Sequence, residues 1–125
     1  MDRWFGIIGA LSALLAVAAG AFGAHGLKDR LSVDQLGVFE VGVRYQMYHA
    51  LGMLAVAWAL SHWQGETSMR AAGWLMLIGT LLFSGSLYGL ALGAPRWLGA
   101  ITPIGGLGFV IGWGLLAWGI WRSGR

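Results

Sequence analysis

The chain has 125 residues, of which 58% are hydrophobic and only 10% charged, with a formal net charge of +3. Soluble domains carry about 25% charged residues, so most of this surface faces something other than water. Cysteine is absent, which excludes disulfides, thiolate metal sites and thiol nucleophiles, and no basic run exists to track nucleic acid.

Trp4 to Ala24 contains no charged residue and is about long enough to cross a hydrocarbon core of ~30 Å. Small residues at Ala16, Gly20 and Ala24 imitate a signal-peptidase site. The run nevertheless exceeds the apolar region of about 7–15 residues in a secretory signal, and Asp2 weakens the required positive start. It reads as a retained span.

His25 to Arg44 is the longest polar insert. Ser32 followed by Gln35 has the form of a capping box, and Leu31 with Leu36 that of a hydrophobic staple. Leu36, Phe39 and Val43 then recur at helical spacing, with Glu40 and Arg44 four apart for an ion pair. The pattern predicts one long second helix. Its first turns form an amphipathic interfacial segment, and it enters the membrane near Tyr45 and leaves near Trp63. Gly42 offers a bend, though an unbroken helix fits equally.

Gln64 to Arg70 is a short polar turn, and Ala71 to Ala94 is a third uncharged run that Pro95 cannot continue. After a brief connection holding Arg96 and Trp97, Thr102 as N-cap and Pro103 at the first helical position open a fourth run to Trp121. The expected fold is all-α: one integral membrane domain over residues 1–125, a bundle of four transmembrane helices at about 4–24, 45–63, 71–94 and 102–121.

Alternating spans put Trp4, Trp63, Trp74, Trp118 and Trp121 on one side, the aromatic belt of a membrane interface. Orientation is balanced. The tryptophan side carries Arg3, Arg70, Arg122 and Arg125; the other carries Lys28, Arg30, Arg44 and Arg96. Close packing is expected along three stripes of small residues: Ala16, Gly20 and Ala24; Gly85, Gly89 and Gly93; and Gly108 with Gly112.

The polar residues His25, Arg44, Tyr45, Tyr48, His49, Ser84, Ser86, Tyr88 and Thr102 all fall opposite the tryptophan belt. Tyr45, Tyr48, His49 and Gly52 share one helical face, and Ser84 with Tyr88 can form a second. The grouping suggests a shared polar cluster that either locks the bundle or holds a ligand. His49 can relay a proton or pin helices by hydrogen bonds. A His25–His49 metal pair lacks any nearby carboxylate, so no metal or cofactor is assigned. His62, beside Trp63, reads as an interfacial residue. Ser84 and Ser86 have no Ser-His-Asp constellation, and Gly105-Gly106 lacks the lysine and strand of a phosphate loop. No span contains the carboxylate that a proton-coupled drug exporter needs.

Four ordered motifs carry a family resemblance. Gly20-Ala21-Phe22-Gly23-Ala24-His25-Gly26-Leu27, Tyr45-Gln46-Met47-Tyr48-His49-Ala50-Leu51, Phe83-Ser84-Gly85-Ser86-Leu87-Tyr88 and Thr102-Pro103-Ile104-Gly105-Gly106, with Gly112-Trp113 beyond, resemble the domain of unknown function family 423. The resemblance covers almost the whole chain. It implies a bacterial-type plasma membrane protein with about four helices and implies no activity.

The expected function is therefore non-enzymatic: a self-associating structural or accessory membrane protein, in contact with lipid, with itself as a homo-oligomer, or with another membrane protein. The alternative is an oligomeric channel or transporter for a small solute, with a polar site around His49.

Overall fold

A chain in a hydrocarbon solvent must close its backbone hydrogen bonds internally, and here helices do so. The computed structural model, which describes residues 2–63 and 67–123, contains α1 (Asp2–His25), α2 (Val33–His62), α3 (Thr67–Ala91), a short 3-10 helix (Arg96–Ala100) and α4 (Thr102–Ser123). Residues 64–66 of the expected polar turn and Arg125 lie outside the described residues.

The helix ends follow from local chemistry. Ser32 N–H donates to Gln35 Oε1 at 2.9 Å and Gln35 N–H to Ser32 Oγ at 3.1 Å, so the predicted capping box opens α2. Leu31 and Leu36 both pack against the cluster of Leu27, Phe39 and Ala91. From there α2 runs unbroken through Gly42. α3 stops at Ala91 rather than Ala94, because Gly93 adopts a left-handed φ of 99°. Ala94 N–H then reaches the Gly89 carbonyl at 2.8 Å and Gly93 N–H the Leu90 carbonyl at 3.2 Å, the paired bonds of a Schellman stop. α4 is already under way before Thr102, since the Ile101 carbonyl accepts from Gly105 N–H at 3.2 Å. Thr102 is thus inside the first turn, and its hydroxyl is used sideways instead of as a cap.

Consecutive helices are neighbours: α1 packs along α2, α2 along α3 and α3 along α4, with a light contact between α2 and α4. The starts of α1 and α3 meet the ends of α2 and α4 in a core of Phe5, Leu60, Met69 and Leu116. At the opposite end Leu27, Phe39 and Ala91 join the end of α1, the start of α2 and the end of α3. The belt tryptophans gather at the first end, where Trp74 meets the Phe5 ring edge-on at 5.5 Å.

Glycine sets the closest approaches, along lines that differ from the predicted stripes. On α1 the seam against α2 is Gly9, Ala16, Gly20 and Gly23, while Ala24 is exposed. On α3 the close approaches are Gly73, against Phe5 of α1, and Gly79, against Gly105 and Phe109 of α4; Gly85 has no neighbouring atom within 4 Å of a Cβ position, and Gly93 belongs to the helix stop. Gly108 and Gly112 do face α3. An i, i+4 spacing identifies a stripe, not the side of the helix that meets a neighbour.

Among the described residues, three segments are long and apolar enough to cross a membrane: Arg3–His25, Thr67–Ala91 and Arg96–Ser123. α2 is not among them. Its first third is charged, and it buries Gln46 and His49 toward its neighbours.

Candidate functional site

The polar residues of the helices pair across helix boundaries in three clasps. The first centres on Gln46, only 8% exposed, on the α2 face that also carries Phe39, Gly42, His49 and Met53. Its Nε2 donates to the Ser12 carbonyl of α1 at 2.9 Å, and its Oε1 accepts from the Tyr88 hydroxyl of α3. The Ser12 carbonyl can only accept, so the amide orientation is fixed. One side chain thereby ties three helices. Beside it, Ser84 Oγ donates to the Gly42 carbonyl at 2.7 Å. A Cβ at position 42 would approach the Tyr88 ring to 2.9 Å, so Gly42 is a contact surface for α3 and not a bend.

The second clasp holds α4 to α2. His49 is 4% exposed; its Nδ1–H donates to the Tyr45 carbonyl at 2.8 Å and its Nε2 accepts from Trp113 Nε1–H at 2.9 Å. The two partners set the tautomer and occupy both nitrogens, leaving no lone pair for a metal. The imidazole lies flat on Phe109, with centroids 3.5 Å apart and planes 8° apart. The third clasp joins α3 to α4. Ser86 Oγ donates to the Phe83 carbonyl at 2.9 Å and, its proton so used, accepts from the Thr102 hydroxyl.

The remaining predicted residues stand apart. Tyr45 packs on Phe83 at 4.8 Å and edge-on to Tyr48, which is 52% exposed. These rings and His49 line a shallow aromatic groove of about 440 Å³ between α2 and α4. Arg44 and Glu40 form an exposed pair at 2.6 Å, a contact worth a few tenths of a kcal/mol. His25 is exposed at the end of α1 and joins none of the clasps. His62, also exposed, stacks on Trp58 at 5.1 Å.

Two participants, Gln46 and Trp113, are not among the residues singled out from sequence. Gln46 carried a usable signal: an amide inside an apolar run needs a partner. Trp113 did not, because an indole in a membrane helix is satisfied equally well at an interface.

Replacing Gln46 with Leu keeps the volume but strands the Tyr88 hydroxyl. We expect a loss of about 1–2 kcal/mol, near the upper end for hydrogen bonds between membrane helices. Tyr88→Phe should add no further loss in the Gln46→Leu background and should recover part of it, because the orphaned hydroxyl is gone. A double-mutant cycle by unfolding in mixed micelles checks this, and simply additive losses would show that amide and hydroxyl are not partners.

An all-helical chain with an apolar exterior and polar groups turned inward to one another is a membrane protein. Within that class, this chain belongs to the family described as protein of unknown function (DUF423), whose model matches residues 19–106. It is similar to a UPF0382 membrane protein of Bacillus subtilis (strain 168), 52% identical over 87% of this chain and 89% of that one. A UPF0382 membrane protein of Staphylococcus saprophyticus is 50% identical over 94% of this chain and 97% of its own length. No solved structure matches.

Proposed function

We propose that the protein is a four-crossing, self-associating structural or accessory membrane protein, non-enzymatic, whose clasps lock the helices and leave no polar path between them. The observation that carries this reading is complete internal pairing. Among the described residues, no buried side-chain nitrogen or oxygen lacks a hydrogen-bond partner. A solute pathway needs polar groups that can exchange one partner for another, and buried groups already satisfied give that up only at a cost of several kcal/mol in lipid. Ser84 and Ser86 spend their protons on backbone carbonyls and His49 has no free nitrogen, so these three form no nucleophile–base pair.

Crossing by α2 is supported by depth. Its Leu60 lies with the first turns of α1 and α3, its Phe39 with their last turns, so it is level with two apolar helices. Its buried polar side chains are turned inward, Gln46 to α1 and α3 and His49 to α4. Self-association falls on the outward face of α3, where Gly85 lies open one turn from the exposed Leu81. The bacterial relatives favour the plasma membrane as its compartment.

The absence of cysteine gives a silent background for the test. Asp29→Cys and Thr67→Cys should be labelled by impermeant maleimide from opposite sides of the membrane. Gly85→Cys should form an oxidant-dependent disulfide between two copies. Labelling of both loops from one side sinks the four-crossing reading, and a Gly85→Cys protein that stays monomeric under oxidation sinks this mode of association.

A further inference from the structure

Between the last turns of α1 and the first turns of α2 lies a cavity of about 460 Å³ that none of the clasps uses. Pockets for small ligands span roughly 300–1,000 Å³. Gly20 and Gly23 let Val43 and Phe39 pack close against α1 at its floor, and Ala24, Leu36, Phe39 and Val43 make its walls apolar. Its charged residues are Lys28, Arg44 and Glu40, a lining charge of +1 from two cations and one carboxylate. Glu40 engages one guanidinium nitrogen of Arg44 at 2.6 Å, and the rest of that donor fork is available.

The depth of these groups is informative. Val43 lies against Gly20, where a Cβ would meet it at 3.4 Å, so Arg44 is level with a point inside the apolar run of α1. Four residues before Ala24 corresponds to ~6 Å below the end of that run, at ~1.5 Å per residue. A guanidinium at that level snorkels outward, here toward Glu40, which lies one turn nearer the loop. The cavity therefore straddles the boundary between hydrocarbon and headgroups, apolar on its walls and basic on its rim.

We infer that this cavity holds a single anionic phospholipid, with its phosphate between Lys28 and Arg44 and the upper part of an acyl chain against Ala24, Leu36 and Val43. A soluble anion would gain nothing from the apolar walls, and a hydrocarbon would gain nothing from the cations. An amphiphile uses both. A zwitterionic headgroup would bring its ammonium to a rim that is already net positive. The inference rests on the reading that α1 and α2 both cross, which the loop-cysteine labelling tests by itself.

The full-length protein, purified in detergent, would be offered micelles containing phosphatidylglycerol or phosphatidylcholine, and retained lipid counted by native mass spectrometry. One phosphatidylglycerol should be held in preference to phosphatidylcholine. Lys28→Gln should lower its retention about fivefold, the effect of one basic side chain at an anionic surface. Glu40→Gln should raise it, because Arg44 loses its competing carboxylate. Ala24→Leu, placed at the exposed mouth, should weaken retention of either lipid. Equal retention of the two lipids by the wild type overturns the inference. So does phosphatidylglycerol retention that neither Lys28→Gln nor Glu40→Gln changes. A merely structural effect of these charges would not make Glu40→Gln bind more tightly. Labelling of both loop cysteines from one side fails the four-crossing reading and takes the depth argument with it, whereas labelling from opposite sides with equal retention of the two lipids overturns the lipid site alone.

Discussion

Gly105→Ala is expected to destabilise the protein by about 3 kcal/mol or more, at the top of the range for overpacking a close contact. The added Cβ would lie 2.5 Å from the Phe83 backbone nitrogen and 2.9 Å from both the Phe83 Cα and the Gly79 carbonyl. All three atoms are backbone of α3, so no rotamer change relieves the clash and the helices must part. Parting them also withdraws Phe109 from the groove over Gly79, where a Cβ would meet that ring at 2.7 Å. In lipid little apolar driving force returns α4 to its place, since hydrocarbon tails solvate it as well as α3 does. Gly106→Ala is the control. Its nearest neighbour is the Phe83 ring at 3.7 Å, ordinary van der Waals contact, and the replacement gains up to ~1 kcal/mol in helix propensity. Unfolding in mixed micelles, followed by tryptophan fluorescence, compares the two. Equal stability of the adjacent variants would mean that α4 does not sit on α3 at this distance.

What sequence conveyed about this fold depended on whether the signal was local. Ser32 and Gln35 specify their own capping box, and both bonds form. Pro95 forbids a continuing helix, but the stop itself is the left-handed Gly93 two residues earlier, so α3 ends at Ala91 and not at Ala94. That glycine read equally well as part of a packing stripe. The same ambiguity displaced the α1 seam from Ala24 to Gly23 and left Gly85 facing outward. Which side of a helix meets a neighbour is fixed by the neighbour, and no spacing within one helix contains that information. The polar residues behaved similarly. Ser84, Ser86, Tyr88, His49 and Thr102 do meet other helices, yet in separate clasps that depend on partners such as Gln46 and Trp113. His25 and Arg44 are exposed and join none of those clasps, and Arg44 instead borders the basic rim beside α1.

His49→Ala is expected to cost about 2–3 kcal/mol, combining a stranded indole N–H with the loss of a stacked ring. The N–H is that of Trp113, 2.9 Å from His49 Nε2, and the ring contact is the 3.5 Å stack on Phe109. Two further variants separate these contributions. His49→Phe keeps a ring over Phe109 but removes the acceptor, so it should lose about 1–2 kcal/mol. Adding Trp113→Phe removes the orphaned donor and should recover part of that loss, as happens when both partners of a buried hydrogen bond become apolar. Flux measurements distinguish the lock from a conduit. Reconstituted in liposomes with a panel of small solutes, the wild type and His49→Ala should both remain impermeable, although only the variant is destabilised. A solute that passes through the wild type and is blocked in His49→Ala would make His49 part of a pathway. The second clasp would then be a gate whose Trp113 bond opens and closes, and the locked-bundle reading would be replaced.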